Sequence, residues 1–128
     1  MSGKKILIID DDPDLVEAVS MLLESEGMVP LAAYGGVEGV QKAVAEKPDL
    51  IILDVMMPDK DGFAVAKELS GMEGIRDIPK IMLTAVVENI EATNYSPHHS
   101  AMTLEADDWM DKPVDPRALV ARIKELVG

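Results

Sequence analysis

The chain has 128 residues, with 24 Asp and Glu against 12 Lys and Arg, a formal charge of −12 at pH 7. That length makes one domain able to bury roughly two-thirds of its unfolded surface, without a disulfide or metal staple. There is no cysteine, which excludes disulfides and thiolate metal sites and fits a reducing compartment such as the cytoplasm. The acidic balance argues against nucleic acid as a direct partner and for cations or basic protein surfaces.

In chain order, strand-like and helix-like segments alternate. Residues 5–9 are apolar and β-branched after the lysine and read as a buried strand. This apolar run is short and ends in Asp10-Asp11-Asp12, so it is neither a signal peptide nor a membrane span. Asp12-Pro13 reads as an N-cap followed by proline at the first helical position, and Leu15, Val16, Val19, Leu22 and Leu23 follow at helical spacing up to Gly27. Residues 28–33 predict a second strand, and Gly35-Gly36 a turn. Val37, Val40 and Val44 mark a second helix that stops before Pro48.

Residues 49–55 are the strongest strand pattern in the chain. Residues 58–62 predict a loop, in which Asp59, Lys60 and Asp61 read as turn and solvation residues. Phe63, Ala66 and Leu69 predict a third helix closing near Gly71. Residues 78–84 and 107–110 predict the fourth and fifth strands. Asp115-Pro116 repeats the cap-plus-proline start, with Leu119, Val120, Ile123 and Leu126 as the stripe of a last helix. Residues 86–100 break the rhythm: Asn94, Ser96, Pro97 and Ser100 favour a loop and predict an irregular fourth helix region. The nine methionines read as core filler. His98-His99 lacks companion ligands and reads as solvated.

Strand–helix alternation of this kind predicts an α/β fold, a doubly wound five-stranded parallel sheet with helices on both faces. In such sheets ligands bind beyond the carboxyl ends of the strands. Asp10, Asp11, Asp54 and Thr84 all fall on that edge, and Lys112 comes late in the chain beside Pro113. Crowded carboxylates repel unless a cation sits among them. An oxygen-only set suits a hard ion, Mg²⁺ first and Mn²⁺ as the alternative, which keeps waters for a phosphate to displace. A lysine is a point-charge partner for phosphate, and a threonine hydroxyl can donate to a phosphoryl oxygen. Together the parts describe phosphoryl transfer onto a carboxylate.

The motifs Ile6-Leu7-Ile8-Ile9-Asp10-Asp11-Asp12-Pro13, Leu53-Asp54-Val55-Met56-Met57-Pro58 with Asp61-Gly62, Leu83-Thr84-Ala85 and Asp111-Lys112-Pro113 resemble, in order and spacing, the receiver domains of two-component response regulators. The resemblance spans nearly the whole chain. It implies a flavodoxin-like sheet of order 2-1-3-4-5, a single receiver domain over residues 1–128 with no output domain, and signalling by protein contact rather than turnover of a free substrate. It implies Asp54 as the phosphoacceptor, Mg²⁺ held by Asp11, Asp10, Asp54 and the Met56 backbone carbonyl, and a phosphoryl group contacted by Thr84 and Lys112. Asp12 is left as a helix cap. Thr84 and Trp109 are the implied switch residues, and the Lys112-Pro113 peptide is often cis in the family.

The implied partners are a sensor histidine kinase or a histidine phosphotransfer protein, a downstream protein, and a second copy of the chain if it dimerises; no membrane insertion is expected. Met56 and Val86, both apolar, flank the phosphoryl site in this reading and neither orients a hydrolytic water, which predicts slow self-dephosphorylation. The segment between Thr84 and Lys112 is longer than the usual receiver's, and Glu105-Ala106 stands where the family usually has Gly-Ala. Two rivals remain at this point. One is a haloacid-dehalogenase-type phosphatase with Asp10 as nucleophile and Asp12 as acid/base. The other is a receiver-like interaction module that is never phosphorylated.

Overall fold

The computed structural model describes residues 3–85 and 107–127. Within them the chain runs β1 (Lys5–Ile9), α1 (Pro13–Ser25), β2 (Val29–Ala33), α2 (Gly36–Glu46), β3 (Leu50–Asp54), α3 (Gly62–Ser70), β4 (Lys80–Ala85), β5 (Asp108–Lys112) and α4 (Pro116–Val127). The strands form one parallel sheet of order β2-β1-β3-β4-β5, the order the resemblance implied. Val86, His98-His99, Glu105-Ala106 and the irregular fourth helix region lie outside the described residues. No helix among the described residues is long and apolar enough to cross a membrane.

Alternation along the strands splits the core in two. Leu7, Ile9, Ile51, Leu53 and Met82 point to the face covered by α2 and α3, where they meet Ala43, Val65, Ala66 and Leu69. Ile6, Ile8, Leu50, Ile52, Ile81 and Leu83 point to the opposite face, against Val16, Val19 and Leu23 of α1 and Leu119 and Ile123 of α4. Every residue of β3 is buried, as a strand covered on both faces requires. Each such aliphatic side chain contributes about 1.5–3 kcal/mol by leaving water.

The helix starts follow their caps. The Asp12 carboxylate accepts from Asp14 N at 3.0 Å and Leu15 N at 3.4 Å, and that of Asp115 accepts from Arg117 N at 3.0 Å. The Lys112-Pro113 peptide is cis. Gly27 takes φ +81°, the left-handed conformation that turns the chain from α1 into β2.

Several expected boundaries move. Gly36 is the first residue of α2 rather than part of a turn. β2 and β3 are each shorter than expected at the ends, β2 starting at Val29 and β3 spanning Leu50–Asp54. β4 starts at Lys80, because residues 75–78 form turns in which Ile78 N donates to Ile75 O at 3.0 Å. β5 runs on to Lys112, whose backbone stands opposite Ala85. As an edge strand it carries the charged Asp111 and Lys112 without burying both faces. The methionines divide: Met28, Met57 and Met82 are core, but Met21 and Met56 are exposed.

Candidate functional site

Two strand ends and one edge strand build the site. By strand alternation Asp10 follows Ile6 and Ile8, Asp54 follows Leu50 and Ile52, and Lys112 follows Met110, all on the α1/α4 row. Where the apolar row runs out, three charged side chains continue it. Lys112 Nζ lies 2.9 Å from Asp10 Oδ2 and 3.1 Å from Asp54 Oδ1, bridging the two buried carboxylates. Both contacts are charge-assisted, so the one ammonium serves a carboxylate oxygen of each aspartate. Asp10 Oδ1 accepts from Asp12 N at 2.9 Å, and Asp54 Oδ1 from Met56 N at 3.4 Å.

Asp11, exposed at the rim, completes a trio: one carboxylate oxygen each from Asp10, Asp11 and Asp54 lie within 4.8 Å of one another. Two of the three acids share one lysine, and the electrostatics register it. Burial, joined by repulsion from Asp10, pushes the Asp54 carboxyl from 3.8 up to about 6, with Lys112 opposing. For Lys112, burial alone would lower the ammonium pKa; the carboxylates of Asp10 and Asp54 outweigh it and hold it above its ordinary value.

The donor set fits a hard divalent cation. It is all oxygen, and its three carboxylates outnumber the lysine that bridges two of them. The three oxygens are close enough together for one cation to lie among them.

Thr84 is buried in β4, one residue past Leu83, the register partner of Asp54. By alternation it lies on the other row, with Met82 and with Trp109, which stands opposite Met82 in β5. Trp109 packs on Phe63 of α3 with ring centroids 6.1 Å apart and planes at 43°. Its buried Nε1 has no hydrogen-bond partner among the described residues. Met56, at the mouth of the cluster, is 65 % exposed.

A family model described as "Response regulator receiver domain" matches residues 6–124. The chain belongs to the response regulator receiver family. The receiver is 40 % identical over 125 residues to the alkaline phosphatase synthesis transcriptional regulatory protein PhoP of Bacillus subtilis, covering 98 % of this chain and 49 % of that protein. It is 39 % identical over 127 residues to the phosphate regulon transcriptional regulatory protein PhoB of Pseudomonas aeruginosa, covering 99 % and 53 %. The receiver chain thus spans about half the length of these curated relatives. Among solved structures it is similar to a CheY-like receiver domain protein of Methanospirillum hungatei, with TM-score 0.82 and 29 % identity over 98 % of this chain and 94 % of that one. It also resembles the chemotaxis response regulator CheY4 of Vibrio cholerae, with TM-score 0.83 and 27 % identity over 98 % and 99 %.

The structure brings Asp10, Asp11, Asp54 and Lys112 together as the sequence led one to expect. It gives no support to the phosphatase rival, because the Asp12 carboxylate is turned onto the start of α1. The reading of residues 59–61 as mere turn and solvation residues is corrected. Asp61 caps α3, accepting from Ala64 N at 2.8 Å, and Lys60 pairs with Glu68. The Asp59 carboxylate reaches α2, accepting from Gly36 N at 3.0 Å and Val37 N at 3.1 Å. The available signal was indirect: α2 opens after Gly35, which has no side chain to cap it.

Proposed function

We propose that Asp54 accepts a phosphoryl group from the phosphohistidine of a sensor histidine kinase or histidine phosphotransfer protein. The single observation that supports this most is a buried aspartate at a strand end with a lysine 3.1 Å away and two more carboxylates within cation-sharing distance. In the transfer an ionised Asp54 oxygen forms the new P–O bond, the P–N bond to the donor imidazole breaks, and its electron pair leaves on that nitrogen. Lys112 neutralises charge on the phosphoryl oxygens, and Thr84 donates its hydroxyl to one of them. Asp10, Asp11, Asp54 and the Met56 carbonyl would hold Mg²⁺, with Mn²⁺ as the substitute. When bound, the ion supplies charge neutralisation to the phosphoryl oxygens.

The added charge of about −1.5 to −2 beside Lys112 biases Thr84 and, on the same row, Trp109. This is the signal read by a protein partner. The exposed Met56 and apolar Val86 favour slow loss of the phosphoryl group. Incubation with acetyl phosphate and Mg²⁺ followed by intact mass tests the core of the reading. A phosphoryl adduct on the native chain and none on Asp54→Ala is the expected result; no adduct on either sinks it for that donor.

A further inference from the structure

Residues 55–61 leave Asp54 and return to α3, and two contacts fix their path. At the base Gly62 N donates to Val55 O at 2.8 Å, so closely that a Cβ at 62 would lie 2.3 Å from Asp54 O. At the tip Asp59 supplies both carboxylate oxygens to the first N–H groups of α2, with Gly36 N and Val37 N at 3.0 and 3.1 Å. These two N–H groups hold the Asp59 carboxyl below its ordinary pKa. The contact is close on both sides, since a Cβ on Gly36 would meet Lys60 Cβ at 2.7 Å. The helix is in turn pressed onto β1: a Cβ on Gly39 would lie 2.6 Å from Ile9 Cδ1, and Ile9 directly precedes Asp10. So α2 touches both arms of the carboxylate cluster, one by packing and one through Asp59.

We propose that Asp59 is a positioning residue for the Asp54 site: by tying the loop to the N-terminus of α2 it sets the backbone at Met56. Met56 N is the group that donates to Asp54 Oδ1. A capping carboxylate drawn from its own helix start would stabilise α2 as well and would fix nothing else. Drawn from 22 and 23 residues away, it makes the start of α2 the anchor for the acceptor loop. The inference deepens the reading of Asp54 as acceptor and rests on it for its consequence in phosphoryl transfer.

Calorimetric titration with MgCl₂ of the native chain, Asp59→Ala, Asp59→Asn and Ile123→Val provides the test. Asp59→Ala is expected to bind Mg²⁺ roughly tenfold more weakly, the scale of losing an outer partner of a metal ligand. Asp59→Asn, which keeps one acceptor oxygen, recovers most of that affinity. Ile123→Val loosens the α1/α4 core without touching the loop and leaves Mg²⁺ affinity within about twofold. If Asp59→Ala binds Mg²⁺ as the native chain does, or if Ile123→Val weakens binding equally, the proposal fails. Hydrogen exchange at Met56 N–H without metal gives a second readout: faster exchange in Asp59→Ala supports the tether, and equal exchange overturns it. Neither measurement needs phosphoryl transfer, so failure of the acceptor reading shows separately, as a native chain that takes no adduct.

Discussion

At the amino-terminal edge of the sheet Lys5, Asp49, Lys80 and Asp107 meet separate partners. Asp49 accepts from Lys5 N at 2.8 Å. The buried Lys80 donates from Nζ to Ile78 O at 3.1 Å, while its backbone N donates to Asp107 at 2.9 Å. At the carboxyl edge Lys112 bridges Asp10 and Asp54, and Asp11 adds a third carboxylate close to both. Both edges close the same strands, yet one is satisfied and the other carries an excess of negative charge. A fold optimised only for stability would treat the two alike. The unbalanced edge is where something positive, and then something phosphorylated, can be gained.

Four measurements break or sharpen that contrast. The largest effect is expected from Lys112→Ala: adduct formation with acetyl phosphate falls by roughly 10²–10³-fold, as when one preorganised donor to a reacting group is removed. Lys5→Ala at the other edge leaves the rate within about twofold. Next, Lys80→Ala costs about 2 kcal/mol in denaturant melts, through lost packing and two orphaned carbonyls, while Mg²⁺ affinity stays unchanged. A loss of Mg²⁺ affinity there would erase the distinction between the edges.

The third concerns pH in metal-free protein. Asp54 titrates near 6 in the fold against 3.8 for the ordinary carboxyl. Its neutral form is therefore favoured by folding: below about pH 4 no penalty exists, and stability is lost as pH rises through about 6. Asp54→Asn, which cannot ionise, gains on the native chain over that window, reaching on the order of 1–2 kcal/mol by pH 7.5 after allowing for solvent reaching the cleft. A gap that does not change between pH 4 and pH 7.5 would contradict the crowding. Added Mg²⁺ should stabilise the native chain above pH 6 and lose that effect as the pH falls below it. The smallest effect belongs to Lys5 and Glu46, 3.7 Å apart at the surface, where Glu46→Ala should cost less than about 1 kcal/mol and nothing in Mg²⁺ binding.

Much of the fold was legible because local signals agreed. The apolar runs of β1 and β3, the caps at Asp12 and Asp115 and the prolines after them each point to the element observed. Asp10, Asp54 and Lys112 were legible because each sits beside a strand whose end can be read. Thr84 was placed on the right edge, but only the register shows it on the row of Trp109 rather than that of Lys112. Asp59 was missed because its partners are 22 and 23 residues away, and cap rules look only at near neighbours. Nothing in the sequence marks Lys80 for burial, because that burial depends on carbonyls presented by the turn before β4. The end of β5 was hidden for a similar reason: two charged residues look like the end of a strand until β4 is seen alongside them.

Alternation along the strands has one further consequence, for tolerance to insertions and deletions. Asp10, Asp54 and Lys112 converge because an even step separates each from the α1/α4-facing apolar residue before it, Ile8, Ile52 and Met110. A single residue gained or lost between Leu50 and Asp54 would leave enough aliphatic side chains to build a sheet, but would swing Asp54 to the side of Phe63 and Trp109. The oily pattern of these strands is thus also a reading frame for the charges at their ends.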